Sequence, residues 1–535
     1  MGEADIVLVN TNRMRPPIGP IALDYLAGVL ARRGLTADLI DLAFAGCHPQ
    51  AGPTKSGPLG GAAKEHPQGR PPRADALEGG TPQDRPGDPV EAALNGYFAA
   101  HQPRAVGVTF RNTDDCYLAS RASFVAGLVE IVEAIRAATD APIILGGSGY
   151  SLFPAELLAL TGADYGVVGD GEAVLPAVVE GLKTGKPPEG LPGLASSAPR
   201  EGAHRGRRAS PAAKCGTVVV TPPRYGREVS LATERAFIDN ARYFREGGQG
   251  GFETRRGCGH RCIYCADPVA KGRAVRRRPP AEVAQEVLAL LKQGVNVLHT
   301  CDPEFNIPPD QAQAVCAALI DAGLGGRVRW YTYCSPAPFP AGLAEVMRRA
   351  GCAGVNFGAD SACDAQLARL GRGYGAAEVA AAVRACKQAG LAVMIDLLFG
   401  GPGETPETCA ETIAFIKSLP ADAVGAPVGV RLYPATPLAL AVLAAGPLAE
   451  NPNLRGAVEG NDGLLEPVFY VDRALGDDPA ALIIDLIAGD ERFFPPVASR
   501  DVRDCNYNDN AVLTGAIAAG ARGAYWHILR NLRGK

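Results

Sequence analysis

Short apolar runs alternate with helical patterns in the first part of the chain. Asp5–Asn10 is a strand-like run, and Ile18–Arg33 has the spacing of an amphipathic helix that ends at Gly34. Further strand-like runs, with helical patterns between them, lie at Leu35–Ile40, Ala105–Phe110, Pro142–Gly146 and Asp164–Val168. Strands that alternate with helices are typical of parallel βαβ units. The pattern therefore predicts a doubly wound α/β sheet of about five strands, with its ligand beyond the carboxyl ends of the strands.

Two stretches interrupt this alternation. Pro49–Pro89 is rich in Pro and Gly and has no hydrophobic period, which indicates a flexible insertion in a surface loop. Gly185–Cys215 is rich in Pro, Ala and Arg and contains the basic run Gly202–Arg208, which favours a solvated linker over a polyanion-binding segment. We therefore expect a first domain over residues 1–190, with an insertion at about 49–89, and a linker over residues 191–245.

Better-formed units follow from residue 251 onward. Six strand-like runs alternate with helical patterns, at Phe252–Thr254, Val297–Cys301, Val328–Tyr333, Gly354–Gly358, Ala392–Phe399 and Gly429–Tyr433. Six βα units in line predict a partial parallel barrel over residues 246–435, with its chemistry at the carboxyl ends of the strands. Residues 436–535 contain helical patterns at Ala480–Ile487 and Ala511–Arg530, which we interpret as a mostly helical C-terminal cap.

Composition and charge exclude several classes of protein. The 535 residues carry 53 basic and 57 acidic side chains, so no basic excess marks the chain as a nucleic-acid binder. No apolar run reaches membrane-spanning length, and the opening stretch Met1–Asn12 holds Glu3 and Asp5, unlike a signal peptide. We expect a cytoplasmic, monomeric protein of two or three domains that binds no nucleic acid and has no membrane span.

Three of the 14 cysteines cluster in one loop directly after the first predicted barrel strand. Arg255–Asp267 reads RRGCGHRCIYCAD, so Cys258, Cys262 and Cys265 have the spacing C-x3-C-x2-C. Thiolates this close together can bind one metal centre, and soft sulfur selects zinc, copper(I) or iron–sulfur. The loop therefore predicts a metal site at the mouth of the barrel.

Two kinds of metal site are compatible with this loop. His260 lies between the cysteines, so one interpretation is a Cys3His zinc knot, because structural zinc takes four ligands. Three cysteines with Tyr264 before the last one favour a 4Fe–4S cluster with one iron left open to a substrate. The spacing and its place after a strand resemble the radical S-adenosylmethionine (radical SAM) superfamily, in which the methionyl amino and carboxylate groups chelate the open iron.

Other barrel motifs agree with that resemblance. Asp396–Thr405 (DLLFGGPGET) looks like the fifth-strand motif of the superfamily, where glycines let the backbone approach the adenine. The resemblance implies cofactor contacts at this turn and near the ribose hydroxyls, by Tyr264, Asp360, Gly400, Gly401 and Gly403. An ordinary strand-to-helix turn remains the alternative for the glycines.

Glu304 follows the second predicted barrel strand in the stretch CDPEFN. The resemblance implies that a carboxylate here faces the cluster and has a catalytic role. It could hydrogen-bond the methionyl ammonium, ligate the open iron, or instead cap the helix that follows Pro308. The first two outcomes imply different chemistry, and both remain open.

A flavodoxin-like, Rossmann-like sheet ahead of a radical SAM barrel resembles the cobalamin-binding radical SAM family, over about residues 1–435. Glycines at the ligand edge of such a sheet give room for a corrin ring, and helix amino termini favour the phosphate of its nucleotide tail. The stretches RPPIGPIALDYLA, RNTDD, GGSGY and GDGE carry the resemblance. It implies cobalamin contacts at Asn10, Arg111, Asn112, Thr113, Gly146, Gly147, Ser148, Gly149, Gly171 and Glu172.

The lower face of such a cobalamin is expected to lack a histidine ligand. None of the seven histidines lies in a D-x-H-x-x-G context. The resemblance makes Arg111 the neighbour of that face, with a catalytic role, and a protonated arginine cannot coordinate cobalt. A contact with the phosphate tail or a salt bridge with Asp114 is the alternative for Arg111.

The family implies a C-methyltransferase that uses a 4Fe–4S cluster, cobalamin and S-adenosylmethionine. The methyl group would pass through methylcobalamin to a carbon of a small-molecule or natural-product substrate, by a radical or a polar route. An external electron donor such as flavodoxin or ferredoxin is expected. The chain end, with PVFY and GAYWHIL, resembles the tryptophan 2-C-methyltransferase branch of the family, and Tyr525, Trp526 and His527 could line a pocket or pack the cap. A cobalamin-dependent radical rearrangement or cyclisation, or a non-catalytic cobalamin sensor, is the alternative function.

Overall fold

The computed structural model describes residues 3–45, 88–186, 188–197, 217–504 and 506–533. The insertion predicted at about 49–89 lies almost entirely outside these residues, and the basic run Gly202–Arg208 lies entirely outside them. The described residues form two large sheets, each with helices packed against it, and a C-terminal region that contacts the second sheet.

The first sheet has the flavodoxin-like strand order that the sequence pattern predicts. Its five parallel strands lie in the spatial order second, first, third, fourth, fifth, and are Ile6–Asn10, Ala37–Asp41, Val106–Thr109, Ile143–Gly146 and Tyr165–Val167. Both faces are covered, because Val7 and Val9 pack in one apolar cluster and Ile6 and Leu8 pack in another. The helices of this unit are Ile21–Arg32, Pro89–Ala100, Val125–Ala138, Ser148–Leu152, Pro154–Thr161 and Gly171–Lys183.

The first sheet continues past residue 190, into the segment predicted to be a linker. Leu194–Ser197 pairs antiparallel with the fifth strand, and Val218–Val220 pairs antiparallel with Leu194–Ser197. Strands of four and three residues are too short to show a two-residue period, so the sequence pattern did not reveal them.

The second sheet is the partial parallel barrel. Its strands lie side by side in chain order and are Gly250–Phe252, Val297–Thr300, Arg329–Cys334, Cys352–Asp360, Ala392–Leu397, Ala423–Gly425 and Phe493–Phe494. The partial parallel barrel is confirmed, with five of the six predicted strands in place, and Phe493–Phe494 adds a seventh parallel strand from the C-terminal region. The helices of this unit are Asn240–Gly247, Asp267–Lys271, Pro280–Lys292, Pro309–Asp321, Leu343–Arg349, Asp364–Arg369, Ala376–Gln388 and Pro406–Lys417.

The sixth barrel strand is not the one that the sequence predicted. Ala423–Gly425 occupies that place, whereas Val430–Arg431, inside the predicted strand, pairs antiparallel with Val468–Tyr470. Leu454–Gly456 completes this separate sheet of three strands. Gly429 has a φ of +98°, which turns the chain away from the barrel before the apolar run begins.

The described part of the C-terminal region has four α-helices, and the last two close the inside of the barrel. The four are Pro437–Ala445, Pro479–Ile487, Ala511–Ala518 and Tyr525–Arg533. The predicted helix Ala511–Arg530 is two helices, because Gly520 and Gly523 between them have positive φ angles. Trp526 and Leu529 pack in one cluster with inward-facing barrel residues such as Tyr331 and Met394. No helix among the described residues is long and apolar enough to span a bilayer.

A buried ionic network joins the two units. Arg235 donates to Asp24 of the first unit at 2.8 Å and to Glu286 of the barrel at 2.5 Å, and both ion pairs are fully buried. Tyr25 donates to Glu286 at 2.7 Å, and Arg278 pairs with the same carboxylate. Because a buried charge without its partner is costly, this network fixes the first unit against the barrel.

Candidate active site

One cavity of about 1000 Å3 lies where the carboxyl ends of both sheets meet. Residues of the first sheet, the cysteine loop, the barrel strands and the last helix all border it. Its size is at the upper end of the range for small-molecule pockets, so it can hold more than one bound group.

Arg255 holds the cysteine loop in place by hydrogen bonds to backbone carbonyls. This buried arginine donates from Nε to the carbonyl of Glu304 at 2.7 Å and also bonds the carbonyl of Gly257. Gly257 has a φ of +84°, and a Cβ there would lie 2.1 Å from the carbonyl oxygen of Ala274. Only glycine therefore permits the tight turn that leads into Cys258.

The three thiols lie close enough to affect one another. Burial raises the pKa of Cys262 to about 11, and the neighbouring Cys258 contributes to the increase. Burial raises the pKa of Cys265 as well, with contributions from Asp267 and the other two thiols. Among the described residues, no three His, Cys, Asp or Glu side chains already have the arrangement of a metal-ligand set. The loop therefore holds three neutral thiols near one another. None of the three borders the cavity, whereas Tyr264 and Asp267 of the same loop do.

Glu304 offers an unused carboxylate oxygen beside these thiols. Its Oε2 is buried and has no hydrogen-bond partner in the described part of the chain. Burial raises the pKa of Glu304 to about 7, although Arg372 and Arg255 oppose the shift. Its charge in turn adds to the raised pKa of Cys258 and of Cys262, after the larger effect of burial. This donor set suits a metal cluster that needs a fourth ligand.

Glu304 does not cap the following helix. The helix Pro309–Asp321 begins after Pro308, and no side chain caps its amino terminus. The capping alternative for Glu304 is therefore wrong. Glu304 does not border the cavity, and its buried Oε2 is left without a partner among the described residues.

Asp360 is held by two side chains at the end of the fourth barrel strand. Tyr264 and Arg372 each donate to its Oδ2 at 2.5 Å, and Arg372 also donates to the Tyr264 hydroxyl at 3.0 Å. Asp360 and Tyr264 border the cavity, and the Oδ1 of Asp360 has no partner among the described residues. Arg372 could not be identified from the sequence, because no motif marks it.

A second polar pair lies on the neighbouring strands. Asn356 donates from Nδ2 to Asp396 at 2.8 Å, and burial raises the pKa of Asp396 to about 6. The Oδ1 of Asn356 is buried without a partner in the described residues. A Cβ at Gly425 would lie 2.4 Å from Asp396, so glycine makes room for this carboxylate. Asp396 begins the motif Asp396–Thr405 and Asn356 lies in the predicted strand Gly354–Gly358, but nothing in the sequence singled out either residue.

The glycine turn after the fifth strand is an internally bonded structure. Gly400 and Gly401 donate their N–H groups to Glu404, and Gly403 donates to Asp472. None of Gly400, Gly401 and Gly403 borders the cavity. Their predicted contact with a nucleoside stays a prediction, while Leu397 and Leu398 just before them do border the cavity.

On the first sheet, most of the predicted contact residues border the cavity. Those that do are Asn10, Arg111, Gly146, Gly147, Ser148, Gly171 and Glu172. Those that do not are Asn112, Thr113 and Gly149. Gly149 packs directly behind Arg111, because a Cβ at Gly149 would lie 3.0 Å from the backbone of Arg111.

Arg111 faces the barrel across the cavity. It makes no salt bridge with Asp114, which Arg431 and Tyr433 engage at 3.0 and 3.2 Å, so that alternative is wrong. Burial raises the pKa values of Cys301, Tyr333 and Tyr525, and the Arg111 guanidinium is near enough to oppose each of these increases. The cation therefore lies between the first sheet and the barrel mouth.

The floor of the cavity is aromatic. Tyr525 and Trp526 border it, and the buried Nε1 of Trp526 has no partner among the described residues. His527 does not border it. Its Nδ1 is 2.9 Å from the hydroxyl of Tyr331, which does not border the cavity either. His299 and Tyr333 complete the floor, and the sequence analysis missed both of them.

Comparison with known proteins agrees with this geometry. The radical SAM superfamily profile matches residues 252–416. The chain is 29% identical to a tryptophan 2-C-methyltransferase of Streptomyces laurentii, over 99% of this chain and 96% of that protein.

Solved structures of radical S-adenosylmethionine methyltransferase TsrM from Kitasatospora setae are similar over nearly the whole chain. The structure with tryptophan and a SAM analogue has a TM-score of 0.83 at 28% identity, and covers 99% of this chain and 98% of that one. The structure with cobalamin and a [4Fe-4S] cluster has a TM-score of 0.80 at 26% identity, with coverage of 100% and 98%. The cobalamin-dependent radical enzyme OxsB shares the fold, with a TM-score of 0.63 at 15% identity over 87% of this chain and 64% of that one.

These similarities extend over both units and over the cysteine loop. The similar TsrM structure holds a [4Fe-4S] cluster, which favours the iron–sulfur interpretation of the loop over the zinc one. The chain therefore contains a radical SAM domain, and over nearly its whole length it is similar to tryptophan 2-C-methyltransferase and to the cobalamin-binding radical SAM methyltransferase TsrM.

Proposed function

We propose that this chain is a C-methyltransferase that moves a methyl group from S-adenosylmethionine, by way of cobalamin, to a carbon of tryptophan or a closely related aromatic amino acid. One observation carries the proposal: a single cavity is bordered by the first sheet, the cysteine loop and an aromatic barrel floor. The similarity to a tryptophan 2-C-methyltransferase over nearly all of both chains supports this substrate class.

The cluster would be held by Cys258, Cys262 and Cys265. When bound, the cluster supplies an iron site beside the cofactor, and cobalamin supplies a cobalt that accepts and delivers a methyl group. Glu304 has the free oxygen to occupy the open iron and thereby deny it to the methionyl group. This role favours the polar route, in which S-adenosylmethionine serves only as a methyl-cation donor.

Arg111 supports the same route from the other side of the cavity. It would lie at the corrin face next to the first sheet, where a guanidinium cannot donate a lone pair to cobalt. An unligated lower face eases transfer of the methyl group as a cation. Asn10, Gly146, Gly147, Ser148, Gly171 and Glu172 would border the corrin and its tail, since they line this edge.

The nucleoside of S-adenosylmethionine would bind at the ends of the fourth and fifth barrel strands. Asp360 has a free Oδ1 there, and Tyr264 and Arg372 fix its orientation. Asn356 and Asp396 form a second pair suited to ribose hydroxyls, with the buried Oδ1 of Asn356 left to accept a hydrogen bond.

The aromatic ring of the substrate would lie on the cavity floor. Tyr333, Tyr525 and Trp526 supply flat apolar surface, and aromatic pairs gain about 0.5–1.5 kcal/mol beyond the burial of their area. Gln249 borders the same space with its Oε1 lacking a partner among the described residues, so it could accept from an N–H of the substrate.

Reduction of the cobalt to its nucleophilic state requires an external electron donor, for which we propose flavodoxin or ferredoxin. We also propose a monomer in a reducing cytoplasm, where the eleven free cysteines of the described residues would stay reduced.

The test is anaerobic incubation of the reconstituted protein with tryptophan and S-adenosylmethionine that carries a trideuterated methyl group. Mass spectrometry should find methyltryptophan that retains all three deuteriums, and S-adenosylhomocysteine. Protein reconstituted without cobalamin is the control and should give neither product. Labelled cofactor consumed by the complete enzyme without any methylated tryptophan would contradict the proposed substrate.

A further inference from the structure

His299 stands on the second barrel strand with its ring at the cavity floor. The ring lies 5.1 Å from that of Tyr333, and both residues border the cavity. The Nδ1 atom is 2.7 Å from the carbonyl oxygen of Thr300. A carbonyl can only accept, so Nδ1 carries the hydrogen and Nε2 carries the lone pair.

Nε2 has no hydrogen-bond partner among the described residues. Nε2 is not one of the polar atoms that are both fully buried and without a partner. It is therefore accessible, and its lone pair is open to the cavity that His299 borders. A histidine with a fixed tautomer and a free Nε2 is the usual arrangement of a general base.

We infer that His299 is the base that accepts the proton lost by the substrate carbon when that carbon is methylated. The inference rests on the proposed function and deepens it. The new carbon–carbon bond forms as the cobalt–carbon bond breaks, and cobalt keeps the electron pair. The carbon–hydrogen bond of the substrate then breaks, its electrons restore the aromatic ring, and the proton goes to Nε2.

The other ionisable groups at the floor are less suited to this role. Burial raises the pKa of Cys301 to about 12 and that of Tyr333 and Tyr525 as well, so all three stay protonated at neutral pH. Asp396 is already bonded by Asn356, and Arg111 is a cation. Burial lowers the pKa of His299 despite the opposing bond to Thr300, so its imidazole is neutral at pH 7.

The proposal predicts a pH dependence for the methyl transfer step. The active form is neutral His299, so the rate should fall about tenfold per pH unit below its pKa, which lies under the usual value of about 6.5. Above that pKa the rate should be flat.

The experiment compares wild type with His299→Gln, and uses His101→Gln at an exposed site of the first unit as the matched control. Single-turnover transfer from preformed methylcobalamin to tryptophan should be roughly 10²- to 10⁴-fold slower in His299→Gln and unchanged in the control. Methylation of cobalt by S-adenosylmethionine, measured without tryptophan, should be unchanged in both variants. Imidazole in the buffer should restore part of the lost rate.

A second measurement does not depend on how the variant folds or on catalysis. Deuterium exchange at the imidazole C2 of His299, followed by mass spectrometry across a pH series, gives its pKa in wild type. That pKa should lie below about 6.5 and coincide with the kinetic one.

The outcomes distinguish the role of His299 from the proposed methyltransferase function. Transfer by His299→Gln within a few-fold of wild type, or a pKa by exchange that differs from the kinetic one, would overturn the role of His299 alone. Loss of the pH dependence in Asp396→Asn but not in His299→Gln would assign the base to Asp396 instead. No methyltryptophan from wild type would overturn the proposed function, and the role of His299 with it.

Discussion

The two sides of the cavity are built differently. The first sheet offers backbone and glycine, as at Gly147, where a Cβ would lie 2.5 Å from the carbonyl oxygen of Phe110. The barrel mouth offers buried side chains with unused polar atoms, including Glu304, Asn356 and Trp526. Among the described residues, the first unit has one such atom, on Asn12.

This difference indicates a division of labour. A surface of backbone and glycine selects a large ligand by shape, whereas unpartnered buried polar atoms cost energy until a ligand satisfies them. Changes on the first sheet should therefore alter how cobalamin is held, and changes at the barrel mouth should alter the iron site and the fate of S-adenosylmethionine. Four substitutions test this division.

The largest effect is expected from Cys262→Ser. Loss of one thiolate should lower the iron content from about four per chain to below one and abolish methyl transfer. Cobalamin should stay bound, because its site lies on the other unit. Cys316→Ser, at a buried thiol far from the loop, is the control and should keep its iron. Simultaneous loss of cobalamin in Cys262→Ser would show that the two sides are not separable.

Glu304→Gln should change which products form. If Glu304 occupies the open iron, wild type makes no 5′-deoxyadenosine, and the variant should begin to cleave S-adenosylmethionine under reducing conditions. Methyl transfer should fall roughly tenfold, as the preorganised charge is lost. Asp310→Asn, an exposed carboxyl paired with Arg277 nearby, is the matched control. Cleavage by wild type at the same rate as by the variant would exclude the blocking role.

Arg111→His should change the ligand environment of the cobalt without disturbing the barrel. Electron paramagnetic resonance of wild-type cob(II)alamin should show no splitting from an axial nitrogen, whereas the variant places an imidazole where the guanidinium was. A nitrogen splitting in the variant, with slower methyl transfer and full iron content, is expected. The same splitting in wild type would contradict a lower face without a nitrogen ligand.

Gly147→Ala should give the smallest effect on chemistry. Its φ of +108° and the close carbonyl of Phe110 predict a loss of roughly 1–3 kcal/mol in the free energy of unfolding. Weaker cobalamin retention should accompany it, with unchanged iron. Gly162→Ala is the control, because it also has a positive φ but open space around it. Equal cobalamin loss in both variants would mean that backbone strain alone, and not this close approach, causes it.

The sequence predicted what depends on local pattern. The flavodoxin-like strand order, the first five barrel strands and the cysteine loop follow from hydrophobic periods and spacing, and the structure has them. Short strands such as Ala423–Gly425 and Phe493–Phe494 have no readable period and were missed.

The side-chain partnerships of the site could not be predicted in this way. Asp360 meets Tyr264 96 residues before it, and Trp526 reaches the cavity floor from the far end of the chain. Such contacts depend on which face of a strand or helix points inward at one position, and a single sequence does not give that direction. The tautomer of His299 likewise depends on one carbonyl, that of Thr300.

The most direct test of the account is the ratio of the two nucleoside products made by wild type while it methylates tryptophan. Under strictly anaerobic, reducing conditions, methyltryptophan and S-adenosylhomocysteine should accumulate in equal amounts, with no 5′-deoxyadenosine. Formation of 5′-deoxyadenosine in proportion to methyltryptophan would contradict the polar route and the role of Glu304 in blocking cleavage.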